Sequence, residues 1–184
     1  SVFLNISPNH LDWHRTFEAY LQAKKKLFDH SQPEDQVILN RDDPHLWAWR
    51  QEKRQELYAF SRKHSVPRGC YLQGSKIILK LGEEIPVIDV KDIRLRGVHN
   101  QDNVMAAILA ARLAGTSLTA IRQTIRNFKG LEHRLEEVRK IRGVLFVNDS
   151  KATTVDATIK AIDSFDQPII LILGGRDKGG DFSP

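Results

Sequence analysis

The chain has 184 residues, of which 41% are hydrophobic and 28% are charged. This apolar content excludes an intrinsically disordered protein, because burying it can offset the entropy of ordering the chain. No apolar run approaches the ~20 residues that a membrane-spanning helix needs. The formal net charge of +5 permits a polyanionic partner, either a nucleic acid or a phosphorylated small molecule. The single cysteine, Cys70, excludes an internal disulfide and indicates a reducing compartment.

Hydrophobic patterning predicts an α/β fold of alternating strands and helices. The expected strands cover residues 2–6, 36–40, 57–60, 70–72, 76–81, 85–90, a hairpin of 135–141 and 144–148 across Arg142-Gly143, and 168–173. The expected helices cover about 16–30, a short stretch from Pro44, 100–114, 117–128 and 153–164. Residues 168–173 are apolar on both faces, as in parallel strands covered by helices. A change of pattern after Gly130 predicts a domain boundary that divides 1–130 from 131–184.

One lysine interrupts the apolar face of the predicted helix 16–30. The apolar positions of that face are Phe17, Tyr20, Leu21, Leu27 and Phe28. Lys24 stands where the stripe requires another apolar residue, whereas Lys25 and Lys26 are expected in solvent. Lys24 can pack its stem and extend its ammonium into water. Alternatively its amine is desolvated and reactive, and can add carbon dioxide to give a carbamate whose oxygens suit Mg²⁺.

Two histidines and an aspartate precede this helix. His10, Asp12 and His14 alternate, so an extended segment would place all three on one face as a possible metal site. The alternative is a polar loop at the end of a strand. The nearby Lys24 favours the metal site.

Seven motifs together resemble those of the Mur ligase family, the ATP-dependent enzymes that build the peptide stem of bacterial cell-wall precursors. They are N-I-S-P-N-H-L-D-W-H at 5–14, Y-x-x-A-K at 20–24, N-x-D-D at 40–43, G-x-H-N-x-x-N at 97–103, G-x-x-H-R at 130–134, D-S-K-A-T at 149–153 and G-G-x-x-K-x-x-D-F at 174–182. The resemblance extends over nearly the whole chain. It implies a central ATPase domain (a mixed sheet with helices, plus small strands) followed by the start of a Rossmann-like C-terminal domain.

The resemblance implies catalytic and nucleotide-binding roles for five residues. His10 corresponds to a magnesium ligand and Lys24 to a lysine that is carbamylated. Asn100 and Asn103 correspond to residues that contact the adenine of ATP, and Arg134 to one that faces its phosphates. Taken alone, the two asparagines are more typical of a helix cap, and an arginine such as Arg134 is more typical of a surface ion pair.

The resemblance also implies roles for residues in the last third of the chain. Asp149 corresponds to a residue that contacts the ribose, and Ser150, Lys151 and Thr153 lie around the nucleotide and the incoming amino acid. Lys178 corresponds to a residue that holds the carboxylate of D-glutamate. The D-S-K-A-T motif is typical of the D-glutamate-adding members. Without the resemblance, Thr153 would be interpreted as a helix N-cap and the Gly-rich segment as a turn.

The implied reaction joins D-glutamate to UDP-N-acetylmuramoyl-L-alanine, with ATP and Mg²⁺, through an acyl phosphate. The resemblance implies a cytoplasmic bacterial monomer that neither binds nucleic acid nor inserts into a membrane. The only methionine is Met105 and no G-x-x-x-x-G-K-[ST] loop occurs, so we expect a piece of a longer protein with that loop upstream of Ser1. Two alternatives stay open: a Mur ligase adding a different amino acid, and a basic nucleic-acid-binding module.

Overall fold

The computed structural model describes residues 1–52 and 57–175. The strands are β1 (Val2–Phe3), β2 (Val37–Asn40), β3 (Leu57–Ser61), β4 (Gly69–Gln73), β5 (Lys76–Lys80), β6 (Glu84–Asp89), β7 (Glu136–Ile141) and β8 (Val144–Asn148). The α-helices are α1 (Leu11–His14), α2 (Phe17–Asp29), α3 (Pro44–Ala48), α4 (His99–Leu113), α5 (Leu118–Asn127) and α6 (Val155–Ile162). Short 3₁₀ turns at Trp49–Gln51 and Val90–Asp92 complete the described structure.

The first six strands form one mixed sheet in chain order. β1, β2, β3 and β4 pair in parallel, whereas β5 pairs antiparallel with both β4 and β6. Ile38 in β2 lies opposite both Val2 and Tyr58, which fixes the register of the parallel part. The mixed α/β fold expected from the sequence is therefore confirmed.

Helices cover both faces of this sheet. Alternate residues of β2 point to opposite faces: Ile38 belongs to one buried cluster with residues of α4, and Val37 and Leu39 belong to another with Phe28 of α2. The larger cluster packs the buried face of α4 against residues of β2 to β6. Its members include Ile38, Phe60, Ile77, Leu79, Val104, Met105, Ile108 and Leu109. The sheet is thus the rigid support from which the loops at its edge extend.

Local signals in the sequence place several boundaries correctly. Thr16 caps α2, with its hydroxyl oxygen accepting a hydrogen bond from the Ala19 amide at 3.1 Å. The hairpin of β7 and β8 turns at Arg142 and Gly143, both with positive φ (48° and 87°), as a two-residue hairpin turn of this kind requires. In the described part of the chain, no helix has the length and apolar character needed to span a membrane.

Two expectations about the ends of the chain are wrong. The strand expected at 2–6 ends at Phe3, and the loop after it contains the short helix α1. Residues 168–173 form no strand, and Ile170 and Ile172 are each 91% exposed. A strand needs a hydrogen-bonded neighbour, and none of the described residues supplies one to this segment. The described structure after residue 131 therefore consists of the β7–β8 hairpin, α6 and their connections.

Candidate active site

A turn at residues 40–43 joins the carboxyl ends of the first three strands. Asn40, which is buried, donates from Nδ2 to the carbonyl oxygen of Leu4 at 2.8 Å. The carboxylate of Asp42 accepts hydrogen bonds from Ser61 Oγ at 2.5 Å and from the Arg62 amide at 2.7 Å. Ends of parallel strands commonly carry the ligand-binding loops of α/β proteins. The turn therefore fixes the edge of the sheet from which the candidate site is built.

His10 lies at the start of the short helix α1 and is exposed. Its φ of 53° is left-handed, and its amide donates to Asn9 Oδ1 at 2.9 Å. Because His10, Asp12 and His14 lie on or next to a helix, they do not alternate along an extended strand, and the expectation of a shared face is wrong. In the described ranges, no three His, Cys, Asp or Glu side chains come together as a metal site.

Lys24 is exposed, which contradicts the interpretation of a desolvated amine on the apolar face of α2. Its Nζ lies 5.4 Å from the centroid of the Tyr20 ring, a distance at which the ring attracts the ammonium. The ring of His14 packs edge-on against the same Tyr20 ring, with 5.3 Å between centroids. Tyr20 thus packs the segment that begins at His10 against the part of α2 that carries Lys24.

The more enclosed lysine of α2 is Lys25, which the sequence pattern assigned to solvent. Its Nζ lies 2.6 Å from Asp29 Oδ1 and 2.6 Å from Glu52 Oε2, and its side chain is only 15% exposed. Burial alone would lower the pKa of Lys25, but the two carboxylates outweigh it and raise the pKa above its ordinary value. Lys25 is therefore a charged structural residue rather than a reactive amine.

A cleft of about 840 Å³ lies between α4, the end of β1 and the beginning of β7. Its lining includes Asn100, Asn103 and Arg134, three of the residues predicted to contact a nucleotide. The cleft falls within the size range of small-molecule sites, roughly 300–1,000 Å³. The structure therefore brings these three predicted residues to one cavity.

The two asparagines form a hydrogen-bonded pair inside α4. Asn100 is 7% exposed; its Nδ2 donates to the carbonyl oxygen of Arg96 at 2.6 Å, and its Oδ1 accepts from Asn103 Nδ2 at 3.0 Å. The N-cap position of α4 is Val98, which makes no side-chain cap. The alternative that these asparagines cap the helix is therefore wrong, and Asn100 instead orients Asn103 at the cleft.

The G-x-x-H-R and D-S-K-A-T segments are bound to each other. Asp149 Oδ1 accepts from the Leu135 amide at 3.1 Å, and the Lys151 amide donates to the His133 carbonyl at 3.0 Å. The side chain of Asn148 lies 2.8 Å from His133 Nδ1. His133 and Leu135 both have positive φ, 65° and 45°, so the loop is held in a conformation that few side chains adopt. Two motifs that are 15 residues apart in the chain thus form one local structure.

The remaining residues of this loop are free to meet a ligand. Ser150, Lys151 and Thr153 are exposed, and so is Arg134, which forms no ion pair with a described residue. Thr154, not Thr153, caps α6, with its hydroxyl oxygen accepting from the Ala157 amide at 3.3 Å. The surface-pair alternative for Arg134 and the N-cap alternative for Thr153 are therefore both wrong. Lys178 lies outside the described residues.

Arg96 connects α4 to the part of the chain after residue 131, a role that the sequence did not indicate. Its guanidinium lies 2.6 Å from Glu137 Oε1 and 5.4 Å from the ring centroid of Phe165. Next to it, Gly97 has φ of +85° and contacts Ser164, so that a Cβ at Gly97 would collide with the serine hydroxyl. Both partners of Arg96 are distant in the chain, and no local pattern predicts such contacts.

His99 lies where these parts meet. Burial is the main reason that its pKa falls below the ordinary value, and the positive charges of Lys160 and Arg134 lower it further. The carboxylates of Asp102 and Asp149 act in the opposite direction. Because those residues belong to α4, the loops after it and α6, the protonation of His99 senses how closely the parts pack together.

A family model described as the Mur ligase middle domain matches residues 1–111. Two similar curated proteins are both called UDP-N-acetylmuramoylalanine--D-glutamate ligase. The one from Caldanaerobacter subterraneus subsp. tengcongensis is 43% identical over 182 residues, covering 99% of this chain and 40% of that protein. The one from Solibacter usitatus is 45% identical over 180 residues, covering 98% of this chain and 40% of that protein. The chain thus spans about 40% of the length of these relatives.

Two solved structures share the fold. A pseudomurein peptide ligase type C from Methanothermus fervidus superposes with a TM-score of 0.68 at 19% identity, covering 91% of this chain and 41% of that one. MurF from Acinetobacter baumannii superposes with a TM-score of 0.62 at 20% identity, covering 86% of this chain and 35% of that one. At these identities the two comparisons establish the fold alone.

Gly97→Ala is expected to separate α6 from the start of α4, because the new methyl group would collide with Ser164 Oγ and also with the His99 ring, at 2.6 Å. Gly115→Ala is the matched control, since Gly115 has a similar φ of +90° but no atom within 4 Å of the added Cβ. Both variants place an alanine at a positive φ and carry that backbone strain. Only Gly97→Ala also overpacks its surroundings, which costs about 1–3 kcal/mol of stability. Thermal unfolding measures the difference, and hydrogen exchange should increase in residues 155–164 only for Gly97→Ala. Equal destabilisation by the two variants would contradict the contact.

His99 is expected to titrate below its ordinary pKa, which NMR of its ring protons measures directly. In the unfolded chain it takes up a proton near pH 6.5, so below that pH the unfolded state binds more protons and the folded state loses stability. The loss of stability grows as the pH falls and stops once the pH is below the pKa of His99 in the folded state. Lys160→Met should raise the pKa of His99 and Asp102→Asn should lower it further. A titration of His99 that Lys160→Met leaves unshifted would show that α6 is not packed against it.

Proposed function

The chain belongs to the Mur ligase family, and from this we propose that the whole protein joins D-glutamate to UDP-N-acetylmuramoyl-L-alanine in peptidoglycan precursor synthesis. One observation supports the choice of amino acid: residues 149–153 have the D-S-K-A-T sequence typical of the D-glutamate-adding members, and they lie directly after β8, hydrogen-bonded to the G-x-x-H-R loop beside the cleft. The two relatives called UDP-N-acetylmuramoylalanine--D-glutamate ligase align with 98–99% of the chain.

We propose that residues 1–130 are part of the central ATP-binding domain and that residues 131–184 begin the Rossmann-like ligase domain. The rest of the enzyme supplies the loop that holds the β- and γ-phosphates. The carboxylate of the L-alanine residue takes the γ-phosphoryl group of ATP to give an acyl phosphate. The amine of D-glutamate then attacks the acyl carbon, and phosphate leaves. Such a reaction depends chiefly on positioning and on stabilising phosphate charge.

The cleft is the proposed nucleotide site. Asn103, oriented by Asn100, faces the adenine, whose edge both donates and accepts hydrogen bonds as an amide does. Arg134 is exposed beside the cleft. Its planar, positively charged guanidinium is suited to the phosphate oxygens and binds them in this proposal. Oδ1 of Asp149 accepts a hydrogen bond from the Leu135 amide. Its Oδ2 is left to accept hydrogen bonds from the ribose hydroxyls.

The exposed loop after β8 is the proposed amino-acid side of the site. Lys151 contributes positive charge towards the nucleotide, while Ser150 and Thr153 offer hydroxyl groups to the incoming amino acid. Lys178 holds the carboxylate of D-glutamate. Since the loop is fixed to residues 133–135 by the Lys151 amide and the Asp149 carboxylate, the side chains of Ser150, Lys151 and Thr153 remain available for these ligands.

His10 and Lys24 are the proposed magnesium ligands of this chain. As an ammonium, Lys24 would repel a cation, so the pair suits Mg²⁺ only when the amine has added carbon dioxide and released a proton. The exposure of both side chains permits that reaction and permits the waters that Mg²⁺ usually keeps. Mg²⁺ there would neutralise charge on the phosphate oxygens of the substrates.

We propose that the whole protein acts in the bacterial cytoplasm, where ATP and nucleotide-linked sugars occur. The family resemblance is also the basis for proposing a monomer. In this proposal the net charge of +5 attracts phosphate-bearing small molecules rather than nucleic acid.

Lys24→Ala in the whole protein is expected to lower the rate of ligation at least about a hundredfold, because the proposed metal would lose its oxygen donor. Short carboxylates such as formate or acetate should restore part of the rate by occupying the vacated space. Lys25→Ala is the matched control: it removes the ion pairs to Asp29 and Glu52 and should cost stability while keeping activity. Near-normal turnover of Lys24→Ala without added carboxylate would contradict the carbamate.

An amino-acid panel tests the proposed substrate directly. With UDP-N-acetylmuramoyl-L-alanine and ATP, the whole protein should release phosphate with D-glutamate and at least about a hundredfold more slowly with L-glutamate or L-lysine. Preference for another amino acid would identify a different Mur ligase. Salt-dependent binding of a random oligonucleotide, without affinity for ATP, would instead support the nucleic-acid-binding alternative.

A further inference from the structure

We propose that Asp43 is a positioning residue that fixes the segment carrying His10 against the helix carrying Lys24. The inference rests on the proposed function, because it concerns the relative placement of the two proposed metal ligands. Asp43 itself contacts neither of them. It acts through the backbone at the end of β1 and through α3.

The carboxylate of Asp43 bonds in two directions. Oδ2 accepts from the amide of Ile6 at 2.7 Å, and Oδ1 accepts from the amides of His45 at 3.0 Å and Leu46 at 3.1 Å. The first bond reaches the chain just after β1, four residues before His10. The other two cap α3. One side chain therefore ties the exit of β1 to the start of α3.

Asn40, in the same turn, holds the neighbouring residue of that exit. Its Nδ2 donates to the Leu4 carbonyl at 2.8 Å, while Asp43 receives the Ile6 amide. Residues 4–6 lie beyond the last ladder pair of β1, at Phe3 and Leu39. Their backbone groups must therefore pair with side chains or with water. The turn supplies this pairing and so sets the direction in which the chain leaves towards His10.

α3 in turn is packed against α2 near both ends of that helix. The ring of His45 meets the ring of Phe17 edge-on, with 5.1 Å between centroids. The ring of Trp49, directly after α3, lies 5.5 Å from the ring of Phe28. Lys24 lies between Phe17 and Phe28 in α2. A displacement of α3 would consequently move the helix that carries Lys24.

The arrangement requires a carboxylate rather than an amide. All three partners of Asp43 are N–H donors, and they bond to both of its carboxylate oxygens. An asparagine side chain has only one oxygen that can accept. Asparagine caps helices as well as aspartate does, so it can keep the bonds to His45 and Leu46. Its Nδ2 would then face the amide of Ile6, and that bond alone would be lost. Asp43→Asn therefore separates the positioning of the His10 segment from the capping of α3.

The test is Asp43→Asn in the whole protein. We expect the apparent KM for Mg²⁺ to rise about tenfold or more, as for outer residues that orient metal ligands, while kcat at saturating Mg²⁺ changes less than about threefold. Direct binding of Mn²⁺, followed by its paramagnetic resonance without turnover, should weaken by the same factor. Should Asp43→Asn give little folded protein, Asp43→Ser, which also caps the helix, is measured with the same expectation.

Asp89→Asn is the matched control. Asp89 also accepts with both oxygens, from Ser75 and from the Lys91 amide, but at a turn on the far side of the sheet. It should lose stability without a change in Mg²⁺ dependence. A Mg²⁺ response of Asp43→Asn within twofold of the unmodified protein would overturn the positioning role. If Lys24→Ala itself kept normal Mg²⁺-dependent ligation, the proposed metal pair, and with it the proposed function of His10 and Lys24, would be contradicted instead.

Discussion

The parallel pairing of β1, β2 and β3 is the constraint on which the candidate site depends. It brings the carboxyl ends of three strands to one edge of the sheet, where their last backbone groups have no further strand to bond. The turn at residues 40–43 meets that requirement, with Asp42 bonded towards β3 and Asp43 towards β1. Two adjacent carboxylates in one turn thereby fix the start of the segment that carries the proposed metal ligand His10 and the loop after β3.

A second constraint forms the cleft, and it lies at the start of α4. The carbonyl of Arg96 accepts from Asn100, while its guanidinium reaches Glu137 in β7. One residue therefore joins the buried Asn100 to the opposite wall of the cavity. Gly97, beside it, has no side chain to keep Ser164 at a distance. The two walls meet here because a long cation and a residue without a Cβ are neighbours in the sequence.

The sequence predicted what is local and missed what depends on distant partners. The Thr16 cap, the turn at Arg142-Gly143 and the approximate positions of β2 to β6 follow from patterns within a few residues. The enclosure of Lys25 rather than Lys24 depends on Glu52, which is far away in the chain, and no helical pattern indicates it. The segment 168–173 has the composition of a buried strand, but composition supplies no neighbour to pair with. For the candidate site, motif resemblance predicted Asn103 and Arg134, which the structure places on one cleft, whereas the contacts of Arg96 and Asp43 are not indicated by any local pattern.

The two constraints differ in strength, and this difference bears on catalysis. The edge of the sheet stands on continuous buried clusters that include Phe28, Phe60 and Met105. The contact between Arg96 and Glu137 is an ion pair whose side chains are 42% and 50% exposed. Such exposed pairs contribute only about 0–1 kcal/mol to stability. The proposed metal ligands therefore keep their place while the walls of the cleft can be reoriented at small free-energy cost. The proposed ligase must admit three substrates and then exclude water, and this division would let binding energy close the cleft without disturbing the proposed metal ligands.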